Sequence, residues 1–234
     1  MDDQVARLVD KAWDRFQQTP ADRRFMIAIG GIPGSGKTTL SQIVTQALNA
    51  RHASQHLGAE PIAAFVPMDG YHLTRAQLSA MPDPATAHAR RGAEFTFDGP
   101  SFLKLVKALR EPLTSTIFAP SFDHAVKDPK ENDIPIQPSH RIVVFEGNYV
   151  VLDKEPWREA AGLMDERWFV EVGFEVARRR LVGRHVKAGI ARDEEEAGKR
   201  ADGNDLVNGR EIVENRVMVD EVVVSRDDEG WRHE

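Results

Sequence analysis

Gly31-Ile32-Pro33-Gly34-Ser35-Gly36-Lys37-Thr38 fills every fixed position of the phosphate-loop pattern G-x-x-x-x-G-K-[ST]. Its flanks decide the fold. Phe25-Met26-Ile27-Ala28-Ile29 before it is an apolar run of strand length. Leu40, Ile43, Val44, Ala47 and Leu48 after it recur at helical spacing across residues 37–48. Strand, glycine loop and helix come in the order that turns backbone N–H groups and a helix N-terminus toward a polyphosphate. The pattern therefore predicts a nucleoside triphosphate held by Gly31, Pro33, Gly34, Ser35, Gly36, Lys37, Thr38 and Thr39. Lys37 would reach the β- and γ-phosphates, and the Thr38 hydroxyl would bind Mg²⁺.

The chain has 234 residues, a net charge of −6 and no cysteine. That length suits one large domain with its own core. The absent cysteines exclude a disulfide framework and a thiolate zinc site; of the eight histidines only His52 and His56 stand at H-x-x-x-H spacing, and a zinc site is not expected. Acidic and basic residues are interspersed, so no general attraction to nucleic acid or to an anionic membrane is expected. Met1-Asp2-Asp3 opens no apolar signal core, and no run is long enough to span a bilayer. These features predict a soluble, cytoplasmic protein.

Val5, Leu8, Val9, Ala12, Trp13 and Phe16 predict an amphipathic helix over 3–18 that packs on the main domain. Further strands are expected at 62–66, 115–119, 141–145, 167–172 and 219–224, and helices at 103–109, 176–187 and 205–216. Residues 81–99 read as an irregular surface segment, 120–140 with four prolines as loop, and 189–203 as mobile. Strands alternating with helices predict an α/β fold: a mostly parallel central sheet with helices on both faces and a small helical lid at about 180–203. Residues 1–20 would form the packed N-terminal helix and 21–234 a single domain. The ligand belongs at the carboxyl ends of the strands.

Two carboxylates follow strands there. Asp69 could take a proton from a hydroxyl attacking the γ-phosphate, or be a turn aspartate before Gly70. Glu146 ends the run Ile142-Val143-Val144-Phe145 where a Walker-B-like acid would hold Mg²⁺; an ordinary strand-ending acid is the alternative. Arg180 and Arg184, four apart, share a helix face that could clamp a transferring phosphoryl group, although a charged helix is more often simply solvated. His72, His124 and His185 each lie beside one of these segments.

Several ordered segments together resemble the phosphoribulokinase/uridine kinase family of small-molecule kinases: the phosphate loop, MDGYHL, RRGAEFTFDGPSF, APSFDHAVKDP, IVVFEGNYVVL and RRRLVGRHVKAG. The resemblance runs from about Phe25 to Val224. It is nearest to the branch with bacterial fructose-transport-associated kinases and a fungal P-loop kinase, and it extends to type I pantothenate kinases. It implies a P-loop NTPase fold, ATP as donor, Asp69 as catalytic base, Glu146 as the acid of the FEG segment, and Arg180 and Arg184 on a lid closing over ATP. It also implies an acceptor side at Tyr71, His72, Arg91, Asp98, Phe122, Asp123 and His124.

The departures concern the acceptor. Uridine kinases have THSR where this chain has Val126-Lys127-Asp128-Pro129, and their RGRD lid segment is replaced by Ala188-Gly189-Ile190-Ala191-Arg192. A sugar-phosphate acceptor would want a basic cluster, which only Arg90, Arg91 and Lys127 could offer. The implied function is phosphoryl transfer from ATP to a hydroxyl of a small metabolite such as a sugar, a nucleoside like uridine, or a pantothenate-like compound. The alternatives are an NTPase switch, against which the chain lacks an N-K-x-D segment, and a nucleotide-binding partner protein with the kinase fold. Family members form dimers and tetramers; no stripe here marks an interface, and a homo-oligomer stays open.

Overall fold

A computed structural model describes residues 2–226. In chain order the elements are α1 (Asp2–Gln17), β1 (Phe25–Gly31), α2 (Lys37–Gln55), β2 (Ala63–Pro67), a 3₁₀ turn (Met68–Tyr71), α3 (Arg75–Ser79), α4 (Pro84–Ala89), a second 3₁₀ turn (Glu94–Thr96) and α5 (Gly99–Arg110). There follow β3 (Ile117–Asp123), β4 (Asp128–Ile136), β5 (Ile142–Gly147), α6 (Trp157–Gly162), β6 (Glu166–Glu171), α7 (Phe174–Lys187), α8 (Glu194–Arg200), a π-helical turn (Ala201–Asp205), α9 (Leu206–Glu214) and β7 (Glu221–Val224).

Five strands form one parallel sheet in the order β2-β5-β1-β6-β7. Their side chains alternate between two cores, as the pleat requires. Phe25, Ile27, Ile29, Ile142, Val144, Trp168 and Val170 meet α1 and α2 on one face. Met26, Ala28, Val143, Phe145 and Phe169 meet α5, α6, α7 and α9 on the other. Because both faces are covered, the strands are near-continuous apolar runs, and every residue of β1 and β5 is buried. From β1 the chain crosses to β2 beyond β5, and later returns to β6 on the opposite side of β1. The order reverses beside β1, so the glycine loop stands at the switch point where open α/β sheets bind ligands.

Three segments differ from the sequence expectation. Residues 120–140 are not loop: β3 and β4 pair antiparallel as a separate two-stranded hairpin. A two-stranded sheet is all edge, so Pro120, Pro129 and Pro135 sit in it without breaking a ladder on both sides. Residues 81–99 are not wholly irregular, because α4 is capped by the Asp83 side chain with Pro84 in its first turn, and Ala93, Thr96 and Phe97 are buried. Residues 189–203 hold an ordered helix, α8. Asp193 accepts from Glu196 N at 2.9 Å, Arg192 pairs with Glu196 and Lys199 with Glu195, so the charge run becomes capping and i,i+4 pairs.

At the opposite end of the sheet His140 marks an acid-sensitive point. Gln137 N donates to its Nδ1 at 3.0 Å, which requires a neutral ring. Burial, then Arg24, lowers its pKa. The unfolded chain therefore takes up a proton that the folded one resists. The stability from this site is present above about pH 6.5 and lost as pH falls through and below it. Glu146, raised by burial, acts in the opposite sense, so a single-residue comparison is the informative one. The melting-temperature advantage of wild type over His140→Gln is expected to shrink between pH 7.5 and pH 5.5 in calorimetry. An unchanged difference would count against a buried neutral His140.

Candidate active site

The loop after β1 is built around two left-handed glycines, Gly34 at φ 81° and Gly36 at φ 88°. Side chains rarely adopt that conformation. Gly36 precedes α2, and no side chain caps the helix, so its first N–H groups remain available. Ser35 Oγ is buried without a partner. Lys37 is buried, and among the described residues its ammonium finds Ile32 O at 3.4 Å and Glu146 Oε1 at 3.9 Å. Burial pushes its pKa down; Glu146 pulls it back and Arg184 adds to the fall. Uncapped donors, an orphaned hydroxyl and an under-compensated ammonium within one loop fit the phosphates of a nucleotide.

Glu146 ends β5 beside Lys37. Burial is the main cause that raises its pKa, to about 7, against Lys37; Asp69 also raises it, and a hydrogen bond with the Thr38 side chain lowers it. A buried carboxylate joined to a threonine hydroxyl is an all-oxygen pair of the kind Mg²⁺ prefers. Asp69 projects from the 3₁₀ turn after β2 with a side chain 54% exposed. It bears electrostatically on both Lys37 and Glu146, so the three share one end of the sheet. The Asp69 carbonyl accepts from His72 Nδ1 at 2.8 Å, which holds the turn closed.

That turn tolerates no extra atom. A Cβ on Gly70 would lie 2.2 Å from the carbonyl oxygen of Pro120 in β3, and one on Gly147 would lie 1.9 Å from Met68 Cγ. The first clash is with backbone and cannot be relieved by a rotamer change. Gly70→Ala is expected to cost about 1–3 kcal/mol, which lowers the melting temperature by roughly 2–4 °C per kcal/mol. A calorimetric melt at the wild-type temperature would refute this.

The acceptor-side residues divide. His72 lies against Phe97 and Phe122, with centroids at 4.0 and 4.9 Å, and Phe122 meets His124 at 5.2 Å. Burial lowers the His72 pKa, favouring a neutral ring. Arg91 donates to the carbonyls of Lys127 and Leu73 and to Asp128, and stacks over Phe122. Arg90 is bound by Asn204 and Asn208. The two arginines are thus already engaged by protein groups. Asp123 caps the hairpin turn by accepting from Ala125 N and Val126 N. Tyr71 packs edge-on against Phe102 in the core. Asp98 caps α5 through Ser101 N. Tyr71 and Asp98 line a cavity of about 350 Å³ with Gly70, His72, Lys104 and Glu131, so it adjoins the turn that carries Asp69, although Asp69, Lys37 and Glu146 are not part of its wall.

On α7, Arg180 donates to Gly34 O at 3.2 Å, Ser35 O at 3.5 Å and Ser225 Oγ at 2.9 Å, bracing the loop backbone. Arg184 is exposed and bears on Lys37 and Glu146. His185 is buried and paired with Asp205 at 2.9 Å.

The sequence model described as "Phosphoribulokinase / Uridine kinase family" matches residues 26–203. The chain belongs to that family. An ATP-dependent kinase-like protein, notR′, of Aspergillus versicolor is 58% identical over 168 residues, covering 70% of this chain and 95% of its own length. A Silicibacter sp. TM1040 structure, provisionally titled a fructose transport system kinase, superposes with a TM-score of 0.80 at 32% identity over 93% of this chain and 98% of that one. The YFH7 structure from Saccharomyces cerevisiae shares the fold, with a TM-score of 0.84 at 24% identity over 96% and 99% of the two chains. The protein is thus a P-loop kinase, an enzyme that uses ATP.

Three polar residues were not assigned from sequence: Asn204 and Asn208, which hold Arg90, and Asp205, which holds His185. Asp205 bears on Lys37 as well as holding His185. The signal available was Asn204, Asp205 and Asn208 in N-D-x-x-N spacing after the arginine-rich helix, a cluster of small polar groups at a helix start.

Proposed function

We propose that this kinase transfers the γ-phosphate of ATP to a hydroxyl of a small metabolite, with Asp69 as base. The observation that carries the reading is the half-exposed Asp69 carboxylate at the same strand end as Lys37 and Glu146. The hydroxyl oxygen forms the new bond to phosphorus, its proton passes to Asp69, and the bond to the β-phosphate oxygen breaks to release ADP. Lys37 and Arg184 stabilise charge on the transferring group. Arg180 serves through the loop carbonyls it braces. Thr38 and Glu146 would hold Mg²⁺, which supplies charge neutralisation between the phosphates. The segment of about 180–203 forms the lid, excluding water that would otherwise hydrolyse ATP. His72, Phe122 and His124 form the wall the acceptor meets. The absence of cysteine, together with no helix among the described residues long and apolar enough to cross a membrane, supports a cytoplasmic location.

Relatives titled as a uridine kinase in Schizosaccharomyces pombe and a fructose transport system kinase supply the first compounds to try. ADP release should be followed with ATP and Mg²⁺ against sugars including fructose, nucleosides including uridine, and pantothenate. Stimulation by one compound, lost in Asp69→Asn, is the expected result. Equal stimulation in the variant removes Asp69 from the role of base.

A further inference from the structure

Arg90 is held by two side-chain amides. Its Nε donates to Asn204 Oδ1 at 2.9 Å and its Nη2 to Asn208 Oδ1 at 2.7 Å. Asn204 Nδ2 in turn donates to the carbonyl of Arg91 at 3.1 Å. The two amides are 5% and 1% exposed, so their polar atoms depend on these partners. Asn204 lies in the π-helical turn between α8 and α9, a local geometry frequent at functional sites. The next residue, Asp205, grips His185 on α7, one position after Arg184, and bears on Lys37.

On the other side, the segment containing Arg90 leads directly to the reacting turn. Arg91 is tied to Asp128 of β4 and to the carbonyl of Leu73, and covers the Phe122 ring. Tyr149 donates to Gly92 O at 2.8 Å. Phe97 bridges to His72 and lies against its ring. His72 closes the turn that carries Asp69. Packed and hydrogen-bonded groups thus run from the acceptor wall to Arg90 and its two amides, and from there Asp205 pairs with His185 beside Arg184 and acts on Lys37 by charge.

We propose that Arg90 is a positioning residue. Through Asn204 and Asn208 it couples the acceptor-side segment 88–98 to the base of the lid, so that ATP bound at one end orders the other. The planar guanidinium bridges two amide oxygens at once, which a lysine ammonium on a flexible stem does not reproduce. The inference rests on the lid reading of residues 180–203 given above.

The test is hydrogen exchange of residues 88–98 and 180–205, with and without ATP and Mg²⁺, after calorimetry has shown that each variant binds ATP. In wild type, ATP should slow exchange several-fold in both segments. In Asn208→Leu it should slow only 180–205, and Asn208→Asp, which keeps an oxygen for Arg90, should restore the effect in 88–98. If Asn208→Leu does not fold, Arg90→Lys replaces it with the same expectation. If ATP protects neither segment in wild type, the lid reading fails and the coupling with it. Protection of 180–205 alone in wild type, or of both segments in Asn208→Leu, overturns the coupling and leaves the lid reading standing. A role in stability alone would alter exchange equally with and without ATP.

Discussion

Asp69→Asn is expected to lower kcat by a factor of about 10²–10⁴, the usual contribution of a positioned general base, while the Kd for ATP stays within roughly twofold of wild type. The separation of the two effects follows from position. Asp69 is on the 3₁₀ turn after β2, and none of the loop donors or the α2 N-terminus is contributed by that turn. Asparagine keeps size and shape, and the hydrogen bond that closes the turn uses the Asp69 carbonyl, which the substitution leaves in place. A comparable fall in ATP affinity would place Asp69 on the donor side instead. Unchanged turnover with an identified acceptor would show that another group takes the proton.

Lys37→Met should produce the opposite pattern, a loss of nucleotide affinity and turnover without a loss of fold. The ammonium is desolvated, and its nearest carboxylate oxygen stands 3.9 Å away. A buried charge this poorly compensated does little for the free protein, and an apolar side chain of similar length removes the desolvation cost. Glu146, already raised to about 7, would then be protonated more readily, so it is not left as a bare charge. The melting temperature without nucleotide should equal or exceed that of wild type. The upward shift on adding ATP, which measures binding to the folded state, should be lost, and turnover should fall by about 10²–10³ if Lys37 acts as one preorganised donor to developing charge. A destabilised variant that still shifts with ATP would contradict both parts. Calorimetry at two ATP concentrations distinguishes them.

The sheet was readable from the chain because its strands are buried on both faces. Phe25 to Ile29, Ile142 to Phe145 and Arg167 to Val170 are short runs dominated by apolar residues, and a strand covered by helices on both sides needs such a run. The hairpin was not readable. β4 is Asp128–Ile136, DPKENDIPI, largely exposed with two prolines, and only its pairing with β3 makes it a strand. The charged stretch 189–203 suggested mobility for a similar reason. Its order comes from an Asp193 cap, i,i+4 pairs and the bidentate contact of Arg178 with Asp202, the last of which spans 24 residues.

For the site, sequence identified groups by their chemical type at a strand end, and the structure assigned what each one touches. Lys37, Thr38, Asp69 and Glu146 stand together. Asp123 and Arg91 are engaged by the hairpin, and Tyr71 and Asp98 line a cavity that has His72 in its wall.

The glycine loop, the strand before it and the helix after it are local, since left-handed glycines, an apolar run and a helical period each act within about ten residues. The sequence by itself therefore determined the phosphate-binding end, the parallel sheet and the family of the enzyme. Which polar side chains are free to meet an acceptor depends on partners far away in the chain, such as Asn204 and Asn208 for Arg90, 114 and 118 residues distant. Only the tertiary structure decided that, because a hydrogen bond formed across such a separation leaves no periodic trace in either segment.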